Sequence, residues 1–298
     1  MSTSFIQLVK TGNEYVDIII PEGIPRNSFV LINGEPGTGK GAFLCELVYR
    51  RLVGGEPVIY LAMDDSPLSI IQRFYPLGWD LIPFLKEDKL KFIDCFSYRM
   101  LDKESPVLKM HMINEKVWKE IEDDIIPCVP KENLYNTLST ISSFLNKLDI
   151  ANNGILVVDS LTELATLHTQ ERALEFVKTL RARLCKERLI QIFAVNNIGI
   201  PQLEVFSSLL NYFADGVFDF RFEPSLMKRG LLIKQFRVRK LSGAESRNIW
   251  LTCKIKRDEG LMIPKKMIKA ITESFDDILD GKEIIKPDKK NKKKSKKK

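Results

Sequence analysis

Residues Gly34 to Gly41 read Gly-Glu-Pro-Gly-Thr-Gly-Lys-Gly and meet the spacing G-x-x-x-x-G-K. Glycines at 34, 37 and 39 let the backbone curl until successive N–H groups point at one spot, and a helix starting behind the loop adds the partial positive charge of its N-terminus. That is chemistry for a polyphosphate, with Lys40 reaching the outer phosphate oxygens. The expected cradle comprises Gly34, Glu35, Pro36, Gly37, Thr38, Gly39, Lys40, Gly41 and Ala42. A glycine-rich turn that binds nothing is the alternative, and the strand before and helix after argue against it. Position 41 departs from the pattern, because glycine replaces the Ser or Thr whose hydroxyl ligates Mg2+. Binding should therefore survive better than catalysis, with phosphate oxygens and water left to hold the metal.

A second element is Gly154-Ile-Leu-Val-Val-Asp159-Ser-Leu-Thr-Glu163, an apolar run that ends in an acid. Asp159 is expected at the carboxyl end of a strand beside the loop, where an acid holds Mg2+ through water. Such runs are common, so this one draws its weight from the loop. ATP with Mg2+ is the ligand the two elements imply together, with ADP as product.

Strands are expected at Phe29–Ile32 before the loop and Val58–Met63 after it, with a helix from about Ala42 to Leu52 between them, which makes a βαβ unit and a parallel sheet. Apolar runs at Lys91–Cys95, Ile155–Val158 and Ile190–Val195 read as further buried parallel strands. Leu134, Leu138, Ile141, Leu145 and Leu148 form one helical stripe, and Leu174, Val177, Leu180 and Leu184 form another. After Gly216 the period changes, and Val217–Phe222, Leu231–Val238 and Ile249–Ile255 read as an antiparallel extension of the sheet. The expected class is α/β, a mostly parallel central sheet flanked by helices with antiparallel strands near the C-terminus. Residues 102–133 fit neither period and are read as an insertion within an ATPase domain spanning residues 1–265. Residues 266–285 follow as a helical extension, and 286–298 as a disordered lysine tail.

Composition removes other classes. Only two histidines occur, His111 and His168, too few for a histidine metal cluster or a Ser-His-Asp hydrolase. The five cysteines are scattered and read as reduced core residues. The net charge of +7 is concentrated in residues 286–298, whose nine lysines and one aspartate leave the body near −1. A basic nucleic-acid surface over the whole domain is therefore excluded, while nonspecific, salt-sensitive contact through the tail is not. No apolar run is long enough to span a bilayer, and no signal-like start is present, so a cytoplasmic protein is expected.

Distributed motifs then carry a resemblance. Gly23-Ile24-Pro25, the loop itself, Tyr60-Leu-Ala-Met-Asp64-Asp65-Ser-Pro67, Gly78-Trp79-Asp80, Val157-Val-Asp159-Ser-Leu-Thr-Glu-Leu164, Ala214-Asp-Gly-Val217 and a strand ending in Arg239-Lys240 occur in this order. From Gly23 to Pro264 the chain resembles the KaiC-like branch of the RecA superfamily of P-loop ATPases, in its single-domain, archaeal-type form. The resemblance implies an ATPase that forms rings, hexamers among them, or filaments, with ATP at the subunit boundary.

The family's strand-two motif ends in two glutamates, one of which activates the attacking water; Asp64 and Asp65 match them and are shorter by one methylene. They are expected to act as weaker bases, with a helix-capping acidic turn as the alternative. Lys240 matches a lysine presented to a neighbour's phosphates, whereas Ser242 stands where an arginine is expected. Asn196 and Asn197 stand where a polar residue senses the outer phosphate, with a plain turn as the alternative. These departures touch hydrolysis and spare the cradle. The expectation is thus an ATP-binding protein with slow or conditional hydrolysis, acting with an unidentified protein partner as a regulatory or assembly component. An inactive nucleotide-binding scaffold and a recombinase-like nucleic-acid ATPase are the alternatives.

Overall fold

The structure, a computed structural model, describes residues 6–100, 115–130, 134–148 and 150–268. The described residues up to Met262 form one compact unit, and those from Ile263 onward belong to a second. Of the second, only 263–268 are described, and Met267 donates its N–H to the Pro264 carbonyl at 2.8 Å in a first turn of helix. The remainder of the expected helical extension and the whole lysine tail lie outside the described residues, as does His111.

A nine-stranded sheet organises the first unit. Its strands are β1 (Phe29–Gly34), β2 (Val58–Ala62), β3 (Leu90–Asp94), β4 (Ile125–Pro127), β5 (Ile155–Asp159), β6 (Gln191–Asn197), β7 (Gly216–Phe222), β8 (Lys234–Leu241) and β9 (Leu251–Thr252). They lie side by side in the order β9-β8-β7-β1-β6-β5-β2-β3-β4. Strands β1 to β7 run parallel to one another, β8 pairs antiparallel with β7, and β9 pairs antiparallel with β8. The central strands β1, β2, β3 and β5 are buried at every residue, which is why they read as continuous apolar runs.

One face packs Phe29, Leu31, Leu61, Ile93, Leu156 and Val158 into an apolar cluster. Helices over residues 134–147, 161–167, 170–180 and 204–213 cover that face, and the stripes at Leu138, Ile141 and Leu145 and at Leu174, Val177 and Leu180 enter it as expected. The opposite face carries α1 (Lys40–Val53), whose Phe43 packs among Phe218, Phe220 and Phe236 at ring separations of 5.4 to 6.0 Å. On the same face Tyr60 packs against Phe92 at 5.3 Å.

Two differences from the sequence reading concern the edges. Within the stretch read as an insertion, Ile125–Pro127 pairs with Phe92–Asp94 and extends the sheet. A three-residue strand bounded by Asp124 and Cys128 is too short to show a period. The run Ile249–Ile255 is divided between β9 and a separate hairpin in which Lys254–Lys256 pairs with Gly260–Met262. All five cysteines are buried and none is bonded to another.

Candidate functional site

The loop that leaves β1 at Gly34 wraps over the first turn of α1. Gly37 and Gly39 hold φ of +80° and +111°, a region that side chains rarely adopt, so glycine is required at both. Thr38 locks the curl, its N–H and hydroxyl reaching the Glu35 carbonyl at 3.4 and 2.7 Å. No side chain caps α1, which leaves its first-turn N–H groups to an anion. Lys40 is buried and donates to the carbonyls of Gly34 and Glu35 at 2.6 and 2.8 Å. Burial pulls its ammonium down to about 8, against the opposing pull of Asp159, Glu35 and Asp64.

Lys234 joins this loop although its sequence neighbourhood carries no motif. Its ammonium donates to the Gly37 carbonyl and lies 5.2 Å from the centre of the Phe222 ring. Register alone brings it there, because Gly34 pairs with Phe220 on β7 and Phe222 pairs with Lys234 on β8.

Asp159 ends β5 on the face that carries α1, and β6 separates β5 from β1. One of its oxygens, Oδ2, accepts from the Tyr60 hydroxyl at 2.8 Å and from Arg73 at 3.3 Å. Toward the expected Mg2+ the chain offers one acid, Asp159, engaged at Oδ2 by Tyr60 and Arg73, and no side chain at Gly41. Among the described residues no group of three His, Cys, Asp or Glu side chains could hold a metal by itself. Asp159 through water, with the phosphates, is the set that would hold it.

The two acids after β2 divide. Asp64 receives the Ser160 hydroxyl at 3.0 Å, and its backbone N–H donates to the Asp159 carbonyl at 3.1 Å. The residue is open to solvent on one side, yet burial of its carboxyl, followed by the charge of Asp159, pushes it up to about 6. Asp65 instead accepts from the Ser66 N–H at 2.8 Å and from Arg73 at 2.7 Å. The capping-turn description fits Asp65, and Asp64 is the acid that faces the crevice.

The asparagines divide similarly. Asn196 is buried and donates to Asn33 Oδ1 at 2.9 Å within a polar network on the far face of the sheet. Asn197 pairs in register with Gly34, and its N–H donates to Thr162 at 2.8 Å, so it is the one beside the loop. Strand alternation also puts Asn197 on the face that carries α1.

Lys240 is not part of its own chain's cradle. It lies six residues along β8 from Lys234, a separation of about 20 Å at the usual strand rise. Its neighbour Leu241 pairs with Gly216 at the amino end of β7, and its ammonium donates to the Tyr212 carbonyl at 3.0 Å. Arg237 and Arg239, which precede Ser242 along β8, are each paired with Asp219 at 2.7 Å.

A family model described as "ATPase: KaiC" matches residues 9–266. The fold is similar to the crystal structure of a KaiC-like protein from Pyrococcus horikoshii, with a TM-score of 0.65 and 20% identity, covering 87% of this chain and 99% of that one. A UPF0273 protein of Thermotoga maritima is 40% identical over 92 residues, which are 31% of this chain and 38% of that protein. The UPF0273 protein of Sulfurisphaera tokodaii is 40% identical over 90 residues, 30% of this chain and 32% of that protein. The aligned stretch thus spans less than two fifths of either relative. Among the described residues no helix is long and apolar enough to cross a membrane.

Proposed function

The chain belongs to the KaiC ATPase family, and from that premise we propose that it binds ATP in the Gly34–Ala42 cradle and hydrolyses it slowly or conditionally. Its role is that of a nucleotide-dependent regulatory or assembly component. The carrying observation is the convergence of Lys40 and the uncapped first turn of α1 on one spot, beside a position 41 with no side chain. The donors that hold phosphate are kept, and the hydroxyl that positions a metal is not.

In this reading Lys40 leaves the Gly34 and Glu35 carbonyls for the phosphates, and Lys234 steadies the loop through Gly37. Asp64 takes the proton of the attacking water, with its reach shortened relative to a glutamate. Asp159 would hold Mg2+ through water, and the ion would supply charge against the phosphates. Lys240 reaches the phosphates of a neighbouring copy, so a homo-oligomer, ring or filament, completes the site. Hydrolysis is conditional because assembly or a protein partner must bring that lysine in.

The occupied Asp159 favours a second reading, a scaffold that holds nucleotide without turnover. Nonspecific nucleic-acid contact is assigned only to the lysine tail of residues 286–298. Equilibrium dialysis of ATP against the wild type and Lys40→Ala tests the primary reading, which expects saturable binding that the substitution weakens by at least about tenfold. Equal binding by both proteins contradicts it.

A further inference from the structure

We infer that Arg73 is a built-in cation of the nucleotide crevice, which supplies charge that a divalent metal otherwise supplies, so that ATP binding by this chain is nearly independent of Mg2+. The inference rests on the ATP reading above and extends it to a residue to which that reading gives no role. Arg73 bridges two carboxylates, donating to Asp65 at 2.7 Å and to Asp159 at 3.3 Å. The guanidinium is planar, forked and always charged, which suits it to hold two acids at once.

Its position is fixed from below. Ser66 caps the helix Pro67–Phe74 by accepting from the Ser69 N–H at 3.2 Å, proline occupies its first turn, and Ile70, Ile71 and Phe74 are buried. The charge therefore arrives on a seated element rather than on a loop. Tyr60 adds a donor to the same Asp159 oxygen at 2.8 Å. An acid left bare beside a polyphosphate would repel it, and in related sites a divalent cation cancels that repulsion. Here Arg73 offsets the Asp159 charge from within the chain, while Asp65, the second acid it holds, is the more exposed of the two and is screened by solvent. Gly41 completes the picture, since a Cβ built there meets nothing within 4 Å. The space for a metal-binding hydroxyl is open, but the ligand is missing.

The test is the affinity of the full chain for a fluorescent ATP analogue in excess Mg2+ and in EDTA. For the wild type the two dissociation constants are expected within about fivefold of each other, and a larger gap overturns the inference. Arg73→Gln is expected to open the gap beyond about fivefold, because Asp159 then repels the phosphates unless Mg2+ is present; an unchanged ratio overturns the role of Arg73. Arg73→Lys keeps the charge and should hold the gap within that limit. If both variants open it equally, shape rather than charge is responsible and the inference fails. Arg73 is 39% exposed, so neither change removes core packing. Absence of binding in both buffers defeats the ATP reading together with this inference, whereas binding that collapses only in EDTA defeats this inference alone.

Discussion

The Ser160 hydroxyl donates to the Asp64 carboxylate at 3.0 Å, which ties the residue after the acid of β5 to the acid that leaves β2. Asp65, the next residue, is paired with Arg73 instead. Asp64→Asn should therefore lower phosphate release by about a hundredfold or more, and Asp65→Asn by only a few fold. A base must be ionised to accept a proton. Since the Asp64 carboxyl sits at about 6, release should rise with pH through that value and then level off. Phosphate release by the two variants, and a wild-type pH profile, check both statements.

Lys40 sets an upper limit on pH. Its ammonium titrates at about 8 in the empty site, so binding of the anionic nucleotide should be full below that value. Phosphate raises the lysine's affinity for its proton, and ATP affinity should fall as pH climbs above 8, by up to about tenfold per unit. Titrations of ATP at several pH values between 7 and 10 check this. With Asp64 controlling the lower limb, the profile of kcat/KM is expected to be bell-shaped.

How much of this was legible in the sequence depends on distance along the chain. The loop and Asp159 were readable because short motifs carry their own chemistry, and the strands because buried parallel strands are apolar along most of their length. Lys234 was not readable: three strands in a particular register deliver it to Gly37. The same register removes Lys240 to the far end of β8, although its motif suggested a place at phosphates. Asp64 and Asp65 look alike in sequence, and only the helix capped by Ser66, with Arg73 two turns along it, separates them. Strand β4 was hidden because three residues carry no period.

The separation of Lys240 from its own loop yields a mixing prediction. If, as proposed, the target of Lys240 is on another copy, Lys240→Ala should leave ATP affinity within about twofold while lowering phosphate release by about tenfold or more. Lys40→Ala fails in the cradle instead. Mixed in equal amounts, the two inactive proteins should regain activity, since some interfaces then pair an intact cradle with an intact Lys240. Phosphate release from the mixture reads this directly; no recovery argues for action within one chain or for no role.

The βαβ unit that carries the loop is held by a buried ionic cluster. Glu56 accepts from Arg26 at 2.7 and 2.8 Å and from Arg51 at 2.9 Å. Burial alone would raise the Glu56 carboxyl, and the hydrogen bond from Arg26 with the charges of Arg51 and Arg26 holds it below its ordinary value. Glu56→Gln leaves two buried guanidiniums without their acid, so unfolding free energy near neutral pH should drop by about 3–5 kcal/mol. Because the depressed acid stabilises only when ionised, the gap between wild type and variant should narrow as pH falls below about 4. Urea unfolding of both proteins at two pH values measures it.

The proposed function requires an intact cradle beside a weakened apparatus of turnover. Steady-state phosphate release by the purified wild type with ATP and Mg2+, with nucleotide binding recorded on the same samples and Lys40→Ala beside it, measures both at once. Clear ATP binding with slow release is expected, both diminished by the substitution. Vigorous release without any partner, or no binding by the wild type, would contradict it.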